Sequence, residues 1–420
     1  MTQSSGFYSL GIAPNILSIL DKLNFKTPTP IQEKSIPSAI EGKDLIGLAQ
    51  TGTGKTLAFG VPMLQAALKG KKGLVILPTR ELALQVQETF EKLGRVLGIH
   101  TALLIGGESL NRQIAALRRG PMIVICTPGR MIDHLEQKTI SLARVEMLVL
   151  DEADRMLDMG FAPQLKRILS VIPKERQTML FSATMPEAIV GMARSYMKFP
   201  LRIEIVPSGT TVEKVTQELF FIARSDKPRL LEKILYEYKG SVLLFSRTKH
   251  GAKRIAAHIK SMGHSVTELH SNKSLSQRKE ALDGFRNGKY RIMVATDIAA
   301  RGIDVKGIEL VLNYDLPDNA EDYVHRIGRT ARAGASGHAI SFATPDQRRD
   351  VQSIERLMRL TLPLSNLPKD LPAPRPQEYS KEEFLRYSGA GGRGHSRGPA
   401  RGGSRFSKPH RSGGGFRRGR

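Results

Sequence analysis

Ala49-Gln50-Thr51-Gly52-Thr53-Gly54-Lys55-Thr56 follows the apolar run 44–48 and opens a helix-period segment. A glycine-rich turn between strand and helix lets backbone N–H groups approach phosphate oxygens, and the helix N-terminus adds a favourable dipole. Lys55 then suits the β- and γ-phosphates of a nucleotide, and the Thr56 hydroxyl suits Mg2+. Ala49 stands where the generic G-x-x-x-x-G-K-[ST] pattern has its first glycine, so on this segment alone an accidental Gly-rich turn stays open.

Working outward, the apolar runs 44–48, 73–77, 122–126, 147–150 and 178–181 have the length of buried strands, with helix-period segments between them. This alternation predicts βαβ units, a mostly parallel sheet and ligand-binding residues at the carboxyl ends of the strands. After Val206-Pro207-Ser208-Gly209-Thr210, which has linker composition, it resumes with the runs 241–245, 266–269, 291–295 and 308–312. The chain therefore reads as α/β, with one domain over 1–206, a linker at 207–213 and a second domain over 214–362. Residues 363–420, first Pro-rich and then Gly/Arg-rich, read as a disordered basic tail without Asp or Glu from Phe384 onward.

The 420 residues carry 64 Lys and Arg against 40 Asp and Glu, a formal charge of +24, and the isoelectric point is near 10.2. That excess points to a polyanionic partner and favours nucleic acid over a membrane surface. No apolar run approaches the ~20 residues of a spanning helix, and the start of the chain is polar, so the expectation is a cytoplasmic protein without a membrane partner. The single cysteine, Cys126, excludes an intrachain disulfide framework or a zinc cluster and reads as a core thiol.

Asp151-Glu152-Ala153-Asp154 directly follows the run 147–150, where the second acidic element of a P-loop ATPase belongs. Asp151 would hold the metal, and Glu152 would orient or deprotonate the attacking water. In isolation such a tetrad is also a common solvated turn. Gln32 has an amide that donates and accepts at once, matching the edge of adenine, although its surroundings also fit a Pro-rich turn. Hydrolysis needs a cation from outside the loop to meet charge at the γ-phosphate, and 323–332 offers several, which could equally be a helix-surface charge pair.

Taken together, AQTGTGKT at 49–56 and DEAD at 151–154 resemble the DEAD-box RNA helicases, and the likeness extends over nearly the whole folded region. The resemblance implies two tandem RecA-like domains, ATP and Mg2+ as cofactors, and structured or duplex RNA bound without regard to sequence. It implies that Phe25, Thr27 and Gln32 hold adenine, that Thr51, Gly52, Thr53, Gly54, Lys55 and Thr56 hold the phosphates, and that Asp304 bonds the ribose. Arg329 and Arg332 become arginine fingers, Ser182 and Thr184 link the ATP site to unwinding, and Asp297, His325 and Arg326 couple the domains. Arg80, Gly107, Thr127 and Arg130 would face RNA from the first domain, and Thr248, Arg278, Thr296 and Gly302 from the second. The sequence departs from the family at Leu275, where a glutamine of a Q-x-x-R element is usual, at Ser271-Asn272 in place of Gly-Asp, and at Ala331 in place of a frequent glycine.

The expected activity is RNA-stimulated ATP hydrolysis coupled to domain closure and local strand separation, with an ATP-gated clamp or annealing scaffold as the alternative. Residues 7–12 and the Gly/Arg tail look similar to bacterial RhlE-type members; a monomer is expected, with ribosomal or mRNA-decay complexes as candidate partners.

Overall fold

The computed structural model describes residues 6–49, 52–205, 215–300, 305, 307–331 and 337–372. The expected linker, the Gly/Arg tail, Thr51, Gly302, Asp304 and Arg332 lie outside them.

In the first half, β1 (Leu45–Leu48), β2 (Lys72–Ile76), β3 (Thr101–Leu104), β4 (Ile123–Cys126), β5 (Val145–Leu150), β6 (Gln177–Ser182) and β7 (Leu201–Glu204) form a sheet. Its order is β3-β4-β2-β5-β6-β1-β7 and every described pairing is parallel. Met147, Val149, Met179 and Phe181 pack into an apolar cluster on one face, and Leu148, Leu150 and Leu180 into a second cluster on the other. Helices cover both faces of a parallel sheet, which is why its strands read as unbroken apolar runs. Cys126 is fully buried, and burial pushes its thiol pKa up.

The second half repeats the plan with β8 (Val215–Phe221), β9 (Val242–Phe245), β10 (Val266–Leu269), β11 (Ile292–Ala295), β12 (Leu310–Asn313) and β13 (Gly337–Ala343). These are also parallel, in the order β10-β11-β9-β12-β13-β8. Both sheets belong to one compact unit.

The expected end of the second domain at 362 is too early. The Leu219 N–H donates to Pro363 O and the Ser365 N–H to Leu219 O, so the chain after Leu362 lies along the outer edge of β8. Arg229, on the helix Lys227–Glu237, donates to the carbonyls of Leu371 and Pro372, and Lys233 pairs with Asp370 at 2.7 Å. The Pro-rich composition of 363–372 reads as disorder, but this stretch is held as a strap by the edge of β8 and by Arg229 and Lys233.

Candidate active site

The strand ends place the motifs side by side. Gly54 has φ +92°, and a Cβ there would lie 2.3 Å from Gln32 Nε2, so glycine is required both by conformation and by space. Lys55 begins the helix Lys55–Ala67 and is buried. Its ammonium donates to Ala49 O at 3.0 Å and to Glu152 Oε1 at 3.2 Å, and stands 4.0 Å from Asp151 Oδ1. Thr56 follows it in the first turn, half-buried, with Gly52 exposed and Thr53 half-buried before it.

Gln32 is buried, and its amide is engaged within the protein: Oε1 accepts the Thr29 N–H at 2.9 Å and Nε2 donates to Gly54 O at 2.9 Å. The side chain expected to read adenine thus also braces the phosphate loop, leaving one N–H and one lone pair for a base. Phe25 is 38% exposed, as an aromatic ring offered for stacking would be, and Thr27 is exposed nearby.

Glu152 sits in the left-handed region at φ 56° and ψ 47°, a conformation that costs a non-glycine residue ~1–2 kcal/mol and is met most often at functional sites. Its backbone N–H donates to Asp151 Oδ1. Its carboxylate lies between Lys55 and Arg155, whose Nη1 is 2.8 Å from Oε2. Asp151 is also buried, and burial, followed by the Glu152 charge, raises its pKa to about 6 against the pull of Lys55. A buried carboxylate still short of countercharge fits a hard divalent cation. No group of three or more His, Cys, Asp or Glu among the described residues could cage one, so Mg2+ here would complete its oxygen shell with phosphate and water.

The last residue of the tetrad, Asp154, was missed in the sequence and organises the next strand end. Its Oδ2 accepts the N–H groups of Ala183 and Thr184 and the Thr184 hydroxyl, at 2.9–3.0 Å. Thr184 therefore links to the acidic tetrad, whereas the Ser182 hydroxyl is buried with no partner among the described residues.

In the second half the expected domain-coupling trio divides. Arg326 is 2% exposed and forms a bidentate pair with Asp297 at 2.5 and 2.7 Å, with further bonds to Asn313 Oδ1 and Asp315 O. Both Asp297 and Arg326 are thereby spent inside their own half, a correction to their reading as coupling residues. His325, one position earlier, faces the other way: burial and then the Arg155 charge of the first half lower its pKa to about 4, with Asp154 and Glu152 opposing. Arg329 is buried beside it, Nε donating to His325 O at 3.3 Å. Ala331, the departure from glycine, carries φ 54°, the left-handed conformation in which glycine is at home.

Among the RNA-facing expectations, Arg80 lies against the Gly106–Gly107 turn, where a Cβ on Gly107 would come within 2.3 Å of its Nη1. Burial lowers its pKa, with the Arg278 and Arg130 charges adding to the effect and Glu81 opposing it. Arg130 Nη1 donates to Glu108 O and Gln113 Oε1, at 3.1 and 3.2 Å. Thr127 and Thr296 hold strand-end positions through their backbone N–H groups, bonded to Leu104 O and Leu269 O. The Thr248 hydroxyl caps the helix Lys249–Ser261 by accepting the Gly251 N–H.

Arg278 differs from its expectation: it is buried and donates through Nε to Glu81 Oε1, joining the helix Leu275–Arg286 to the first half. Leu275, the departure from glutamine, packs against the first half's apolar cluster beside this pair. In this structure Arg278 is a tie between halves rather than a group facing solvent.

A DEAD/DEAH box helicase model matches residues 29–191, and a helicase conserved C-terminal domain model matches residues 226–334. The ATP-dependent rRNA helicase rrp3 of Sclerotinia sclerotiorum is 46% identical over 347 residues, which cover 81% of this chain and 72% of that protein. Saccharomyces cerevisiae Dbp5 bound to RNA and ADP BeF3 superposes with a TM-score of 0.77 at 30% identity, covering 87% of this chain and 96% of the other. Mss116p bound to ssRNA and AMP-PNP gives 0.79 at 27% identity, with 88% and 81% covered. The likeness runs through both halves, and the chain belongs to the DEAD-box family of ATP-dependent RNA helicases.

Proposed function

We propose that the chain is an RNA-stimulated, Mg2+-dependent ATPase whose site is completed from both halves, and that it separates short stretches of structured or duplex RNA. The observation that carries this reading is the position of Lys55, whose ammonium bridges Ala49 O and the Glu152 carboxylate. Entering phosphates offer the lysine a stronger anion, and its departure leaves Glu152 able to orient a water and take its proton. The water oxygen attacks the γ-phosphorus as the bond to the β-phosphate oxygen breaks, giving ADP and phosphate, while Lys55 and Arg329 meet the developing charge. Held by Asp151 and Thr56, Mg2+ would screen the phosphates. By motif position, Asp304 and Arg332 take the ribose and the second arginine-finger role, and Phe25, Thr27 and Gln32 take adenine.

RNA enters this reading through strand ends that share contacts with the ATP site, Asp154 with Thr184 being the direct one. The similarity to a fungal rRNA helicase supports ribosomal RNA as the substrate class. The resemblance of residues 7–12 and the Gly/Arg tail to RhlE-type members is the basis for reading the chain as one of that subgroup, and a cytoplasmic monomer is proposed with it.

Phosphate release with and without RNA tests the assignment. Glu152→Gln should lower stimulated release by roughly 10²–10⁴-fold, the usual worth of a positioned base, while ATP-dependent RNA binding persists. A wild-type chain without RNA-stimulated release would sink the enzyme reading.

A further inference from the structure

We propose that Gln113 and His134 are positioning residues for RNA binding, holding the Arg130 guanidinium and the Gly106–Gly107 turn as one preorganised grip on the sugar-phosphate backbone. The inference rests on Arg130 facing phosphate, as its motif position implies.

Gln113 is the buried residue of the helix Leu110–Arg118, an amide where an apolar side chain would pack more cheaply. Its Nε2 donates to Ile105 O at 2.8 Å, immediately before the glycine pair. That bond fixes the orientation of the amide, so Oε1 must point at Arg130 Nη1, 3.2 Å away, and at His134 Nε2, 3.0 Å away. An acceptor facing His134 Nε2 requires the ring proton on Nε2; in the neutral ring Nδ1 is then an acceptor, 2.7 Å from the Thr139 hydroxyl, whose proton is shared with His134 O at 3.1 Å. Burial and then the Arg130 charge lower the His134 pKa, which keeps the imidazole in this neutral tautomer and removes a second positive charge beside Arg130. Arg130 is held from its other sides by Glu108 O and by the Asp133 carboxylate, 3.2 Å from Nε.

One amide therefore ties two pieces of chain to its own helix: Ile105, which lies between β3 and the glycine pair, and the helix Pro128–Glu136 after β4. A guanidinium fixed in this way loses less rotamer freedom when it meets a phosphate, which is the advantage of preorganisation. A bland core hydrogen bond would stabilise the fold without regard to Arg130, and that difference is measurable.

The test uses the full chain with single-stranded oligouridylate as probe, following stimulated phosphate release against RNA and salt concentration. Gln113→Met should raise the RNA concentration for half-stimulation by roughly five- to thirtyfold, as expected for a lost hydrogen bond to a charged group. Turnover at saturating RNA should fall less than the affinity does. The slope of log affinity against log salt should shrink by about 0.7, one single-strand phosphate contact. In an Arg130→Gln background the Gln113→Met change should add almost nothing. An equal loss in both backgrounds, or a fall in turnover at unchanged half-stimulation, overturns the proposal. Should Arg130→Gln alone leave RNA affinity and salt slope unaltered, the phosphate-facing reading of Arg130 fails first and is recognised as such. If Gln113→Met melts well below wild type, His134→Phe, which removes the second donor on Oε1, is read by the same criteria.

Discussion

Arg80 and Arg130 in the first half follow strand ends closely, whereas Arg278 and Arg326 in the second lie within the helices Leu275–Arg286 and Ala320–Ile327, and the charges of the two pairs are used differently. In the first half the guanidinium of Arg80 lies under a glycine turn and that of Arg130 is held by a backbone carbonyl and an amide, so neither is neutralised by a buried acid. In the second half Arg326 is sealed against Asp297, and Arg278 against Glu81 of the opposite half. Two arginines thus remain available to an anion, while two hold the molecule together. The motif specifies the residue type, and the placement of a carboxylate decides which task the charge performs.

The largest effect should come from removing the acid that seals Arg326. A buried ion pair adds little net stability, but breaking it by deleting one partner leaves an uncompensated charge and typically costs ~3–5 kcal/mol. Asp297→Ala should lower the stability of the second half by that order in denaturant unfolding. Asp133→Ala, which removes an exposed partner of Arg130, should cost under ~1 kcal/mol. Equal costs would erase the distinction between sealed and available arginines.

A smaller effect is expected at the tie between halves. Glu81→Gln weakens the bond to Arg278 while keeping an acceptor, and Arg278→Met removes it; each should weaken closure of the two halves by ~1–2 kcal/mol, read as a smaller closed fraction by energy transfer between dyes on the two halves. Leu275→Gln, restoring the residue usual in the family, should weaken closure less, since it exchanges a partly buried apolar contact for a polar one. An unchanged closed fraction in Arg278→Met would mean that the pair is incidental.

These pairings mark where sequence reading runs out. Strands β1, β2, β4, β5 and β6 were legible to within two residues because burial on both faces writes an apolar run. The strands β3, β7, β8 and β13 were not anticipated. Strand β7 is an outer strand with three exposed residues, and β8 buries the polar Gln217, which pairs with the Tyr323 hydroxyl. Such strands lack the continuous pattern. In the site, the loop, the tetrad and the arginines were legible as residue types at fixed spacing. The bonds of Asp154 to Thr184 and of Asp297 to Arg326 were not, because the partners sit on different elements far apart in the chain and no local spacing encodes that meeting.

His325 offers the finest test of the same comparison, since it is the neighbour of sealed Arg326 that faces the first half. Its ordinary pKa of 6.5 falls to about 4 in the closed structure, burial being the main cause and Arg155 the next. A base with a depressed pKa binds fewer protons when closed than when open. Its contribution to closure is therefore complete above about pH 6.5, shrinks as pH falls, and is lost as pH drops through about 4. Between about pH 7.5 and pH 6 closure should weaken by roughly 1 kcal/mol in wild type. In His325→Gln, which has no proton to gain, that portion of the slope should vanish while the tie between Arg278 and Glu81 persists. The same energy-transfer signal followed across pH in both proteins decides the matter. Identical pH profiles would show that His325 does not sense the first half, and the arrangement of its neighbours Arg155 and Asp154 would then have to be reached in some other way.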